Sequence, residues 1–487
     1  MPAFGEEASR LASSSERESP KDSSHVKSSR TSPYTSNTGG RSSAASTSHK
    51  AHQGSLPSPG GPYLSVVATS RNDEHGGNLL RRMQMFIDGL IAQCRRYGLD
   101  CELILVEWNP PQYRPRFAEA LHWPAEPGPC VVRIIEVSGD IHARFRHSDR
   151  LPLFQMIAKN VGIRRARGRF VLATNVDILF SDELMARLAR RGLADNVMYR
   201  VDRYDIPANI PLDGTTEERL AFAKRNVLRV NRRDGTVYPA TGRLDRIYRP
   251  RSLVLIRALA SPILAPIALI LSTLFRLLIR RTDAGQLRRL SVLHRFIRIK
   301  MHRQRTKAVP ATPIALRLLV AALRLYGRAI AEAWRAVGFE LRRGRLHTNA
   351  CGDFTLMSRE RWLALRGYPE LEMYSFHLDS LLCHAAVCSG VREKVFTSPA
   401  RIYHIEHSEG SGFTPEGRDK LWNRMRTLAV PRLGDAEFWR AVIEMRQGKR
   451  RWLRNEPGWG LTEEPLVETW IGRASDSVGG TSWPALA

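Results

Sequence analysis

Residues 168–184 read GRFVLATNVDILFSDEL, and the interpretation of this stretch decides the fold. The apolar run over 170–173 predicts a buried strand, yet it ends in Thr174, Asn175 and Asp177. An ionised carboxylate at the tip of a buried strand has to face solvent, a cation or anchoring hydrogen bonds, because unpaired burial costs several kcal/mol.

The chain before it has the same character. The β-branched run in PYLSVVATS predicts a buried strand over 63–69, followed by the polar turn RNDEHGGN. Leu79, Leu80, Met83, Phe86, Ile87, Leu90, Ile91 and Cys94 then recur at helical spacing, with Asn78 placed as N-cap and Gly98 as stop. A strand CELILVEW leads into NPPQYRPR, a third strand CVVRIIEV starts near Cys130, and a helix over 152–167 runs into the opening stretch. Strands that are continuously apolar and alternate with helices predict an α/β protein with a mostly parallel, doubly wound sheet. Such sheets bind ligands beyond the carboxyl ends of their strands, where this chain places SRNDEHGGN, EWNPP and TNVD.

The 487 residues carry a formal charge of +27, which implies an anionic partner, while an apolar fraction of 43% is too low for a polytopic membrane protein. Six cysteines are scattered without a C-x-x-C pair or zinc-type spacing, as expected of small buried thiols in a reducing compartment. Residues 1–60 are rich in Ser, Thr, Pro and Gly, and predict a disordered tail. No apolar signal-type segment opens the chain, so a cytoplasmic location is expected.

The middle of the chain differs. Residues 258–275 are uncharged between Arg257 and Arg276, and IALRLLVAALRLYGRAIAEAWRAVGF has the pattern of a basic amphipathic helix. The reading divides the chain into a tail over 1–60, a first α/β half over 61–215, a basic, apolar helical insert over 216–345, a second α/β half over 346–415 and a helical extension with a frayed end over 416–487. A single bilayer crossing at 258–275 would put the two α/β halves on opposite sides of the membrane. The insert is therefore expected either as an in-plane or re-entrant hairpin on the anionic inner face or as a subdomain packed on the protein or a second subunit.

KNVGIRRARGRFVLATNVD resembles the GT-A nucleotide-diphospho-sugar glycosyltransferases, in which N-x-G-x-x-x-A-x-G precedes an apolar strand and a D-x-D-like tip. Asn160, Gly162, Ala166, Gly168 and Asp177 take those positions. YLSVVATSRND, ELILVEWNPP and CGDFTLMSRERWLALRGYPE…HLDSLLCHA resemble further segments of the same fold, so the likeness spans about residues 62–210 and 345–412.

The resemblance implies transfer of a sugar from a nucleotide-diphospho-sugar to a glycan, lipid or protein acceptor, assisted by Mn²⁺ or Mg²⁺. Asp177 is the implied metal ligand, with Asn175 in place of the first Asp of the motif. A His from RIYHIEH is the implied further ligand; His404 is preferred over His407 because it follows directly on the strand, and a hydrogen-bonded strand-end His is the alternative for either. Asp379 falls at the position of the general base, with helix capping as the alternative, and Asp353 near the acceptor. Arg71, Asp73, Glu107 and Asn160 complete the set facing the donor, though a turn carboxylate would account equally for Asp73. A nucleotidyltransferase would share the nucleotide fold and the metal. A basic nucleic-acid-binding protein would explain the charge, but no aromatic-basic signature accompanies it, and no specific nucleic acid is expected.

Overall fold

The computed structural model describes residues 61–247, 324–338 in part, 345–407, 415–449 and 455–472. The expected tail and the uncharged run 258–275 lie outside the described residues, as does much of the basic helical pattern that follows it.

The first half runs β1 (Leu64–Ser70), α1 (Leu79–Tyr97), β2 (Cys101–Trp108), α2 (Phe117–Ala120), β3 (Cys130–Val137), α3 (Gly139–Ala143), α4 (Gln155–Arg165) and β4 (Phe170–Ala173). β1, β2 and β4 are buried at every residue because helices cover both faces of the sheet. Alternation along β1 sends Leu64, Val66 and Ala68 into a core with Met83, Phe86 and Leu90 of α1. Val67 points the other way, into a second core with Ile157 and Val161 of α4. Gly98 ends α1 in the left-handed conformation as expected, whereas Asn78 marks its start without a side-chain cap.

The glycines of the 160–168 pattern are packing devices. A Cβ on Gly162 would lie 2.5 Å from Val67 Cγ1, so α4 approaches β1 only because this residue has none. A Cβ on Gly168 would stand 2.5 Å from the backbone nitrogen of Ser65.

The chain continues through β5 (Ile178–Phe180), α5 (Asp182–Ala189), β6 (Val197–Val201), β7 (Arg203–Ile206), α6 (Thr216–Arg225), β8 (Arg229–Arg232), β9 (Gly235–Tyr238) and β10 (Arg243–Arg246). After a short turn at Cys351–Asp353 come β11 (Thr355–Ser358), α7 (Arg359–Leu365), α8 (Leu378–Cys388), β12 (Arg392–Phe396) and β13 (Ile402–Ile405). α9 (Pro415–Thr427), α10 (Asp435–Arg446) and β14 (Val467–Ile471) follow.

The main sheet has eight strands in the order β12-β6-β11-β4-β1-β2-β3-β14. Its centre, β4-β1-β2-β3, is parallel, but β11 is antiparallel to β4 and β6, and β14 to β3. A second sheet of six strands, β10-β9-β8-β7-β13-β5, adjoins it. The protein is thus α/β as expected, with mixed sheets of which the larger is mostly parallel at its centre. The antiparallel strands escaped the sequence because a segment such as Thr355–Ser358 is equally buried whichever way it runs.

Two expected boundaries move as well. Residues 229–246, expected within the helical insert, form β8, β9 and β10 of the second sheet, the Arg233-Asp234 turn joining β8 to β9 as a hairpin, while 216–225 are the helix α6. The extension is not only helical, because β14 pairs with β3 and completes the main sheet. Among the described residues no helix is long and apolar enough to cross a membrane.

Candidate active site

Strand order reverses between β1 and β4, and the loop that carries Asp177 leaves the sheet there. Thr174 N–H still bonds to Val67 O at 2.9 Å, after which the chain turns into β5. β13 lies beside β5 with His404 opposite Ile178, and Ile405 N–H donates to Asp177 O at 3.0 Å. Backbone pairing therefore delivers the late histidines to the early aspartate.

Asp177 is 8% exposed, and its Oδ2 lies 3.5 Å from both His404 Nε2 and His407 Nε2. Its Oδ1 is buried without a hydrogen-bond partner. One ligand atom from each of Asp177, His404 and His407 falls within 4.8 Å of the others, a spacing that fits a cation. Burial pushes the Asp177 carboxyl up, but the His404 and His407 rings hold it well below the usual carboxylate range. For His404, Asp177 outweighs burial and lifts the imidazole well above its ordinary value. Without a metal the pair is an imidazolium facing a carboxylate, and a cation has to displace that proton.

His404 is fixed on its other side as well. Parallel pairing of β13 and β7 sets Asp205 beside it, and Nδ1 lies 3.4 Å from Asp205 Oδ1 and 3.8 Å from Glu406. A carboxylate behind a ligating imidazole fixes its tautomer and orientation. Asp205 is itself held by Arg203 at 2.7 Å, by Arg229 and by the Asn231 amide at 3.0 Å, so its carboxyl stays ionised despite complete burial.

Arg203 continues the network. Its Nη1 reaches Asp353 Oδ2 at 2.5 Å, and Asp353 Oδ1 accepts from the Asn175 amide. Asn175 Oδ1 in turn accepts from Lys159 Nζ at 2.7 Å, and the same ammonium donates to Gly352 O at 2.7 Å. Burial pulls the Lys159 ammonium down to about 8 against the opposing charges of Asp353, Asp379 and Asp177. A polar chain thus runs Lys159–Asn175–Asp353–Arg203–Asp205–His404–Asp177.

Asp379 sits in the first turn of α8, half-buried, where His377 rather than Asp379 takes the N-cap position. Its Oδ1 accepts from Ser380 N–H at 2.7 Å, and its Oδ2 would lie 3.1 Å from a Cβ on Gly352. Asp353 is already bridged between Asn175 and Arg203, so its carboxylate is committed to the protein.

Arg71 and Asp73 pair with each other at 3.0 Å in the loop after β1, and Arg71 Nε clips that loop to Asn109 O at 2.7 Å. The same loop covers His407: a Cβ on Gly76 would touch its ring, and the His75 and His407 rings are 5.8 Å apart. Glu107, opposite Ser70 at the strand ends, accepts from Phe117 N–H at 3.0 Å through Oε2, while Oε1 is buried without a partner. Burial lifts its carboxyl to about 7. Asn160 is elsewhere. Its amide accepts from Tyr368 N–H at 2.7 Å and donates to Tyr368 O and Glu370, so it fastens α4 to the segment after α7 rather than facing the crevice.

Lys159, Arg203, Asp205 and Glu406 were missed in the sequence. Lys159 alone left a signal there, as a single cation in the otherwise uncharged QMIAKNVGI. Compared with known proteins, the chain matches no family model and no curated protein.

Proposed function

We propose that the protein is a GT-A type glycosyltransferase that takes a nucleotide-diphospho-sugar donor at the carboxyl ends of β1, β2 and β4. The observation that carries the reading is the convergence of Asp177, His404 and His407 where strand order reverses, with one Asp177 oxygen buried and unpartnered. The order β3-β2-β1-β4 is that of a dinucleotide-type half-sheet, whose ligands sit at this reversal.

Asp177, His404 and His407 would hold a divalent cation, and two imidazoles beside one carboxylate suit Mn²⁺ better than Mg²⁺, which prefers all-oxygen surroundings. Such a cation neutralises the charge that builds on a departing diphosphate. The chain's own residues do the rest. Asp205 aims His404, and the Lys159–Asn175–Asp353 chain fixes the β4 tip against the Cys351–Asp353 turn. Asp379 keeps a half-buried carboxylate beside that turn and is the base that takes the acceptor proton. Arg71 and Asp73 offer a cation and an acceptor to diphosphate and ribose. The net charge of +27 then serves the anionic donor and an anionic membrane surface together.

The test is a panel of nucleotide-diphospho-sugars with and without Mn²⁺, read as thermal shift and as release of nucleoside diphosphate. One donor is expected to stabilise the protein only when Mn²⁺ is present. If no donor binds while DNA is retarded in a salt-dependent way, the nucleic-acid reading replaces this one.

A further inference from the structure

Three of the six cysteines, far apart in sequence, meet at one point. Cys94 lies in the last turn of α1, Cys101 opens β2 and Cys130 opens β3. Cys101 and Cys130 are register partners across the parallel ladder, and α1 crosses that edge of the sheet. All three side chains are fully buried, none is in a disulfide, and the sulfurs lie within 4.8 Å of one another. The cluster is at the amino-terminal edge of the strands, the end opposite the site around Asp177.

We propose that Cys94, Cys101 and Cys130 form a three-thiolate site for a soft, thiophilic cation, with Cu(I) as the ion of that chemistry.

Donor type excludes the hard cations, because Mg²⁺, Ca²⁺ and Mn²⁺ take oxygen ligands. Ligand number argues against structural zinc, which closes a tetrahedron of four protein ligands. Among the described residues no fourth Cys, His, Asp or Glu joins the group. Metal–sulfur bonds of about 2.3 Å in a trigonal plane separate the sulfurs by roughly 4 Å. The observed spacing therefore closes on an ion with sulfur movements of less than about 1 Å.

The alternative, three thiols packed as small apolar groups, predicts no copper affinity beyond that of a scattered thiol. On binding, sulfur–metal bonds replace the S–H bonds and the protons leave to solvent. The turns at this edge are tied by hydrogen bonds from Leu99 N–H to Cys94 O at 3.0 Å and from Cys101 N–H to Pro129 O at 3.0 Å. The bound ion would tie the end of α1 to the starts of β2 and β3, and so stabilise the half of the sheet that carries the β1 and β2 loops.

The test uses reduced, metal-free, full-length protein under anaerobic conditions, titrated with Cu(I) in competition with bicinchoninate. One equivalent is expected to be withdrawn from the chelator, with a rise in Tm. X-ray absorption should show three sulfur neighbours at about 2.3 Å and no nitrogen. Cys130→Ser should weaken the site at least 100-fold, while Cys388→Ala, at an exposed position, leaves it unchanged. If Cys130→Ser does not fold, the absorption spectrum of the wild type decides alone. Copper bound through nitrogen belongs to His404 and His407 and overturns the proposal. Failure to compete with the chelator overturns it too, as does an equivalent that persists in folded Cys130→Ser. None of these outcomes bears on the donor reaction, because the two sites share no residue.

Discussion

His404 is held at both ring nitrogens: Nε2 lies 3.5 Å from Asp177, and Nδ1 lies 3.4 Å from Asp205. The first contact faces the proposed metal and the second sets the ring. Asp205→Asn should therefore weaken Mn²⁺ binding by about 10- to 100-fold without touching a ligand. It should also lower stability by about 3 kcal/mol or more, because Arg203 and Arg229 lose a fully buried counter-charge. Mn²⁺ titration by electron paramagnetic resonance and metal-free thermal melts separate the two effects. Unchanged Mn²⁺ affinity in a folded variant would mean that Asp205 does not set the ring.

Asp177→Asn keeps size and removes charge at the residue where the early and late halves of the chain meet. Turnover is expected to fall on the order of 100-fold or more, the scale for losing a partner of transition-state charge. The fall in Tm should be small by comparison. His404→Ala should reduce metal dependence in the same direction by less. A variant that binds Mn²⁺ and donor normally and turns over within a few-fold of wild type would make Asp177 an ordinary strand-end carboxylate.

The strands and helices around β1, β2 and β4 were legible because burial on both faces leaves continuous apolar runs bounded by turns. Asp177 and His404 were legible for a related reason: a charged or titratable side chain directly after such a run needs a partner. The groups that orient them were hidden. Asp205 and His404 are neighbours only through pairing of β7 with β13, strands nearly 200 residues apart in sequence, and no local pattern encodes that register. The cysteine cluster was hidden likewise, since its members come from a helix end and two strand starts. Asn160 was misplaced for a different reason. Its motif position was visible, but only the structure brings in Tyr368 and Glu370, which occupy its amide.

Glu107 makes stability depend on pH in an unusual direction. Its carboxyl is lifted to about 7 from an ordinary value of 4.5, so the native state keeps a proton that the unfolded chain releases. The unfolded state binds fewer protons in that window, and stability falls as pH rises through it. The contribution is complete below pH 4.5 and lost above 7, a change of about 3 kcal/mol. Urea denaturation of metal-free protein between pH 5 and 8 should show the decline, and Glu107→Gln should flatten it. An equal slope in the variant would assign the effect to other groups.

The proposed binding to an anionic membrane surface rests on the uncharged run 258–275 and its basic flanks. Full-length protein is expected to float with phosphatidylserine-containing vesicles, and deletion of 252–310 should abolish flotation. Salt should weaken it only in part, because apolar burial survives screening. Intact protein that stays in the soluble fraction at low salt would rule out the membrane reading in favour of a packed subdomain.

The two acidic candidates on the acceptor side should behave differently. Asp353 is bonded on both oxygens, to Asn175 and Arg203, whereas Asp379 spends one oxygen on Ser380 N–H and turns the other toward Gly352. With water as acceptor, Asp379→Asn should lower the rate of donor hydrolysis on the order of 100-fold, the usual contribution of a general base. Donor and Mn²⁺ affinity should stay within a few-fold, since neither is held by this carboxylate. Asp353→Asn should instead lower Tm by several degrees and weaken Mn²⁺ binding through Arg203 and Asp205. Steady-state hydrolysis, donor binding and melts on both variants make the comparison. Wild-type hydrolysis in Asp379→Asn would remove it as the base, and an unchanged Tm in Asp353→Asn would show that the Asn175–Arg203 bridge contributes little to the fold.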